Sequence, residues 1–362
     1  MKDYPKKLTL ALIMTFLLPI AAYAQAPPEA TPSPVTSSER VQLIRGLVAR
    51  FRQTYIFPEV SERVARALDQ SLRKGTYNSI SDGVSLADAL TRDLRAITSD
   101  QHVMVKFSER ALPPMNEVER PATAESRARL KAQQASLNYG FLKVERFPGN
   151  VGFVDIDFMA DPDFAGETAA AAMTFIANCD ALIVDLRFNG GGSSRMVALL
   201  ASYLFEGDPV HLNDIVVPAD HVLKQSWTLP WVSGKKFGGT KPVYILTSST
   251  TFSGAEEFAY DLQVLKRAVI VGEKSRGGAH PSGRYRITEH FGAIVPASRA
   301  LNPVTKTNWE GTGVVPDIAA SKDDAPRVAQ LEALDKLIAE GDPSLKGERE
   351  KRKAKLQSEK LQ

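Results

Sequence analysis

From residue 38 onward the chain switches between two kinds of apolar patterning. The stretch "SERVQLIRGLVARFRQTY" (38–55) repeats apolar residues every three or four positions, which predicts a helix with Ser38 as its cap. "EVSERVARALDQSLRKGTY" predicts a second helix ending at Gly75, and "SLADALTRDLRAI" a third. "HVMVKF" (102–107) alternates and is β-branched, as a strand should be. Residues 39–108 are therefore expected to form an N-terminal helical subdomain. Residues 109–134, Pro-containing and then charged, are expected to connect it to the second half of the chain.

From about residue 135 the period changes. "NYGFLKVERF" and "NVGFVDIDFM" predict a hairpin turning at "PGN". The Ala-rich "DFAGETAAAAMTFIANC" predicts a helix, and "DALIVDLRF" is a near-continuous apolar run of the kind buried on both faces of a sheet. Helical "SSRMVALLASYLF", strand-like "KPVYILT", helical "AEEFAYDLQVL" and strand-like "AVIVGE" come in turn, then two further strand-like stretches, "GRYRIT" and "FGAIVPASRALN". Such alternation predicts an α/β core with its strands at the centre, over residues 135–321, and a C-terminal helix with a basic tail over 322–362.

Composition narrows the class. The chain has 362 residues, 43% hydrophobic and 24% charged, with a formal net charge of +3, so it carries no basic surface suited to nucleic acid. Residues 1–24 combine a basic start, an apolar run and Ala22-Tyr23-Ala24, the pattern of a cleaved signal peptide. No later segment is long and apolar enough to span a bilayer. Residues 25–38 are Pro/Ser/Thr-rich and read as a linker. The mature protein is expected to be exported, periplasmic or secreted. The single cysteine, Cys179, excludes an internal disulfide, and no Cys/His cluster has zinc spacing. No metal or cofactor is expected. The basic tail "KGEREKRKAKLQSEK" reads as a solvated helix end.

Candidate chemistry lies at two strand-to-helix turns. In "TSSTTFSGAEEF", Ser253 has either of two uses: a nucleophile beside the free amides of a helix start, or an N-cap completed by Glu256 as a capping box. In "DLRFNGGGSS", three glycines come directly after a buried strand. They lack the lysine and the spacing of a phosphate loop, and suit either a second oxyanion donor or a sharp connection. Five histidines are available as a base, of which His102 and His280 sit in turns, and Glu310 lies in the shaped turn "NWEGTGVVPD".

Taken in order, "VDLRFNGGG", "TFSGAEEFAYDL", "VGEKSRGGAHPSG" and "NWEGTGVVPDI", preceded by "SDQHVMVKF", resemble the tail-specific (C-terminal processing) protease superfamily. The resemblance covers roughly residues 40–320. It is closest to the branch that includes interphotoreceptor retinoid-binding protein modules and the tricorn protease core. It implies a ClpP/crotonase-like core of ββα units behind a helical subdomain, with no room for a PDZ domain, and hydrolysis of peptide bonds in a peptide or protein substrate. By motif match it makes Ser253 the nucleophile, His102 the base, Glu310 the orienting acid, and Gly191 and Gly254 the oxyanion donors. The lysine position of the processing proteases falls on Gly278, with Lys274 the nearest lysine, and the serine that precedes the histidine in the tricorn-like pattern is Gln101 here. Retinoid-binding members keep the fold, so a binding module for apolar ligands or peptides stands as the alternative, as does an esterase-like hydrolase. The 206–240 insertion, with Trp227 and Trp231, is expected to be loop-rich, its tryptophans packing. A homo-oligomer is allowed.

Overall fold

A computed structural model describes residues 34–113, 123–218 and 221–359. The expected signal peptide and most of the expected linker lie outside the described residues. Helix α1 (Ser37–Thr54) is capped by Thr36, whose hydroxyl accepts from Glu39 N, rather than by Ser38. Helix α2 (Pro58–Lys74) starts on a proline and stops at Gly75, which takes the left-handed conformation at φ 65°. Helix α3 (Gly83–Thr98) is capped by the Asp82 carboxylate. Strand β1 (Met104–Phe107) comes next, then, beyond a break in the described residues, the exposed helix α4 (Ala124–Ala135).

The second half opens with the hairpin β2 (Phe141–Phe147) and β3 (Val151–Ile156), then α5 (Pro162–Ile176), β4 (Ala181–Asp185) and α6 (Ser194–Ser202). The insertion is loop at both ends but not in its middle. There it folds as an antiparallel hairpin, β5 (His211–Val217) with β6 (His221–Trp227). Strand β7 (Val243–Thr247), helix α7 (Gly254–Val264) and strand β8 (Val269–Gly272) come next, followed by β9 (Ser282–Arg286), β10 (Phe291–Pro296), β11 (Arg299–Leu301) and β12 (Ile318–Ala319). Helices α8 (Ala325–Glu340) and α9 (Lys346–Glu359) close the described chain.

Six strands form the central sheet in the order β12-β8-β7-β4-β3-β2, parallel except for the β2–β3 pair. Every residue of β4 and β7 is buried, because helices cover both faces. Alternate strand residues sort the two layers. Leu182, Val184, Val243 and Ile245 pack with α5, α6 and α7, while Ile183, Tyr244, Leu246 and Val271 pack with α8. The architecture is thus the mixed α/β core that the sequence predicts.

The helical unit does not close on itself. Its apolar faces share one core with Val103 and Val105 and with Phe291, Ala293 and Val295 of β10, which pairs antiparallel with β1. The stretch "FGAIVPASRALN" therefore breaks in two: β10 completes the core of the helical unit, and β11 crosses to pair with β5.

The basic tail is less solvated than its composition implies. Arg349 of α9 is fully buried, pairing with Asp180 at 2.6 Å and donating to the carbonyls of Leu337 and Asp342 at 2.9 and 3.1 Å. A guanidinium is tolerated there because its donors meet fixed acceptors. Arg349→Ala removes one partner of a buried pair and is expected to cost about 3 kcal/mol. In urea unfolding monitored by circular dichroism this appears as a lower midpoint, and an unchanged midpoint would contradict the packing of α9.

Candidate active site

The carboxyl ends of β4 and β7 run into the two turns that carry Gly191 and Ser253, which is where open α/β sheets place ligands. Ser253 is the N-cap of α7, held at φ 56° and ψ −120°, a costly conformation for a non-glycine residue. What holds it is Glu256. This carboxylate is fully buried and accepts from Ser253 N at 2.8 Å, Gly277 N at 2.6 Å, Gly278 N at 2.8 Å and the Ser275 hydroxyl at 2.5 Å. Burial raises its pKa and the four donors pull it back down. The Ser253 amide is spent on this bond, and the amide of Gly254 makes no backbone hydrogen bond.

The glycine turn packs directly on the serine. A Cβ on Gly191, which sits at φ 98°, would lie 2.7 Å from the Ser253 Cβ. The Gly191 amide, however, donates at 2.8 Å to the side-chain oxygen of the buried Asn189 and so is already committed within the turn. The next amide, that of Gly192, makes no backbone hydrogen bond and lies 3.2 Å from where a Gly254 Cβ would stand. Gly192 and Gly254 thus present the free amides beside Ser253, one residue on from the position that the sequence motif indicates.

His102 reaches the site from the helical unit, with Nε2 3.2 Å from the Ser253 hydroxyl. Its turn is stapled to α3 by Arg95, which donates to the carbonyls of Gln101 and Val103, both at 2.8 Å. The imidazole lies against Phe252, ring centroids 4.5 Å apart, and Gly278 leaves room for both, since a Cβ there would fall 2.7 Å from His102 Cε1. Lys274 is exposed.

Glu310 forms no hydrogen bond or ion pair with His102, although one carboxylate oxygen of Glu310, one of Asp100 and one ring nitrogen of His102 all lie within 4.8 Å of one another. One Glu310 oxygen accepts from Ala279 N and lies 3.5 Å from His280 Nδ1, and the other is buried without a partner. Nearer the base is Asp100, two residues before it. Asp100 Oδ1 accepts from the His102 amide at 2.9 Å and sits 3.8 Å from His102 Nδ1, itself buried and unpartnered. The other Asp100 oxygen is held by His280 Nδ1 at 2.6 Å and by the Tyr55 hydroxyl at 3.3 Å. Motif reading passed over Asp100 and Tyr55, and named His280 only as one of five candidate bases and Glu256 only as half of a capping box. The signal for Asp100 was its place beside the histidine in "SDQH".

Burial pushes His102 down to about 4, opposed by the Asp100 charge and reinforced by His280, Arg276 and Arg95, so the imidazole is neutral at neutral pH. Glu310 is pushed up to about 7, first by burial and then by Asp100. A cavity of about 790 Å³ opens over Ser253 and His102, bounded by Gly192, Gly254 and the hairpin residues Ile215 and Leu223. A second, of about 890 Å³, lies behind Glu310, and His280 stands in the wall of both. Trp227 stacks on His211, centroids 4.3 Å apart, and neither it nor the exposed Trp231 lines the first cavity. Among the described residues, no helix is long and apolar enough to cross a membrane.

Compared with known proteins, residues 140–320 match the model of peptidase family S41, and residues 34–141 match that of the N-terminal domain of peptidase S41 in eukaryotic IRBP. Among solved structures, a lipoprotein from Streptococcus agalactiae is similar at a TM-score of 0.52 and 13% identity, over 85% of this chain and 98% of that one. The tricorn protease is similar at 0.50 and 13%, over 89% of this chain and 37% of its own. The photosystem II D1 C-terminal processing protease aligns at 0.47 and 14%, over 80% and 94%. At such identities the likeness to the first two of these structures is one of fold.

The buried imidazole gives a direct test. In spectra of protein carrying ¹⁵N-histidine, His102 is expected to titrate near 4 rather than at its ordinary 6.5, and Asp100→Asn is expected to lower it further by removing the charge that favours the imidazolium. The unfolded chain takes up this proton below 6.5 and the folded site refuses it down to about 4, so His102 subtracts stability as pH falls through that window. Glu310 runs the other way: what its raised pKa contributes is complete below 4.5 and lost as pH rises through about 7. A His102 midpoint at 6.5 or above would contradict the burial.

Proposed function

The chain belongs to peptidase family S41, and from that premise we propose that it is a serine peptidase with Ser253 as nucleophile and His102 as general base. The observation that carries this reading is the 3.2 Å approach of His102 Nε2 to the Ser253 hydroxyl across the junction of the two cores. As Oγ bonds to the substrate carbonyl carbon, its proton passes to His102 Nε2. The same proton then goes to the leaving amine as the C–N bond breaks, and water hydrolyses the acyl-enzyme by the reverse sequence. A neutral imidazole is the form that can accept the proton. The Gly192 and Gly254 amides face the developing oxyanion, and losing one such donor costs on the order of 10²–10³ in rate.

Asp100 is the group that stabilises the imidazolium formed in this step, since its charge lies beside Nδ1. Glu310 acts at one remove. It fixes the Ala279 amide and, with Asp100, flanks His280, so it is a positioning residue. The substrates are peptides or proteins. Export is part of the proposal and rests on the signal-peptide pattern of residues 1–24.

Ser253→Ala is expected to abolish hydrolysis of an unfolded protein substrate, and covalent labelling by a fluorophosphonate, without changing the circular dichroism spectrum. Labelling that persists in Ser253→Ala, or a parent protein that never labels at neutral pH, would sink the assignment. Asp100→Asn is expected to lower kcat more than Glu310→Gln does, because Asp100, at 3.8 Å from Nδ1, forms the ion pair with the base. The opposite ranking would make Glu310 the orienting acid.

A further inference from the structure

The cavity over Ser253 has one carboxylate in its wall, that of Glu257. Glu257 donates its amide to the Ser253 carbonyl at 2.9 Å, which sets it one turn of α7 further on, about 6 Å along the axis. It lines the same cavity as Ser253, is 7% exposed, and has one carboxylate oxygen buried without a hydrogen-bond partner. A turn behind it lies Asp261, 1% exposed. One Asp261 oxygen accepts from Asn302 at 3.2 Å and the other is orphaned. Asn213, on β5 and fully buried, pulls the Glu257 pKa down by hydrogen bonding, in a geometry too poor to satisfy either of its own side-chain polar atoms. Folded proteins leave few such atoms unpaired, since each costs roughly 1–3 kcal/mol.

Burial pushes Glu257 up to about 7 and Asp261 well above the carboxylate range, the Glu257 charge adding to the latter. Lys224, on exposed β6, is the cation acting on Glu257, but among the described residues the two form no ion pair. The remaining walls combine apolar residues, Ile215, Leu223, Ala300 and Trp309 among them, with the exposed Lys224 and Arg284. Apolar walls ending on a carboxylate suit a side chain with an aliphatic stem and a cationic head.

We infer that Glu257, backed by Asp261, is the specificity-determining residue of the cleft and binds the lysine or arginine side chain of the substrate residue next to the scissile bond. This rests on the serine-peptidase reading. An inorganic cation is disfavoured because Glu257 lines an open cavity shared with the nucleophile, one turn away, a distance that a lysine or arginine side chain spans.

Two peptidyl diphenyl phosphonates that differ only in an aminobutyl or a butyl side chain test it. In each, Ser253 Oγ bonds to phosphorus and displaces one phenol, which leaves with the hydroxyl proton. The parent protein is expected to label roughly 10- to 100-fold faster with the amine-bearing probe, and the ratio in Glu257→Gln is expected to fall to near one. Equal rates in the parent would overturn the charge assignment while leaving Ser253 as nucleophile. Failure of both probes to label Ser253 would overturn the serine reading instead. A parent ratio that disappears on adding calcium would give the acids to an inorganic cation. Should Glu257→Gln not fold, the parent ratio decides alone.

Discussion

One buried carboxylate holds the site together. Glu256 sits in the first turn of α7 and collects four donors from two segments: the Ser253 amide on one side, and the Ser275, Gly277 and Gly278 groups on the other. Without that anchor, nothing would offset the unfavourable backbone angles of Ser253, and the 275–280 loop would lose its seat against α7. The loop in turn carries Ala279 and His280, and Trp309 and Val314 bond to it through Gly278 O and Ser275 Oγ. Ser253, the 275–280 loop and the cavity wall therefore share one electrostatic knot. Its cost is the desolvation of a single charge, offset by four donors.

Around that knot the protein divides its labour between two cores. The sheet and α7 fix the serine. The helical unit fixes the histidine through the Arg95 staple and Asp100, and Tyr55 and His280 grip the same aspartate from opposite units. The proposed proton transfer thus depends on how tightly the two cores dock, and β1–β10 pairing and the Asp100 bonds are what dock them.

The elements and the turns were legible because each rests on local rules. Periodicity marked α1 to α3, the apolar runs marked β4 and β7, and glycine between strand and helix marked both site turns. Ser253 and His102 could be named because motif order brings them together although 151 positions separate them. What was not legible depends on distance in space. The commitment of the Gly191 amide to Asn189, two residues earlier, moves the free donor to Gly192, and no spacing rule reports a hydrogen bond of that kind. Glu256 was visible only as half of a capping box, since its other partners lie about twenty positions away. Glu310 stood in a recognisable turn, but the groups between it and the base come from a loop and a helical unit that composition cannot superimpose. The middle of the insertion was misread as loop because its strand β6 is exposed along most of its length, and so lacks the alternation that marks a half-buried strand.

The shared core of the helical unit has a bearing on the order in which the protein can be completed. Leu43, Leu47, Phe51 and Leu90 all precede the sheet in the chain, yet the layer they pack into is closed by Phe291, Ala293 and Val295. During N-to-C synthesis the three helices emerge with one side of their apolar surface uncovered. It stays uncovered until almost the whole sheet domain has emerged. The base and the nucleophile are brought into register by the same late strand, so a truncated or stalled chain carries His102 without the means to present it to a serine.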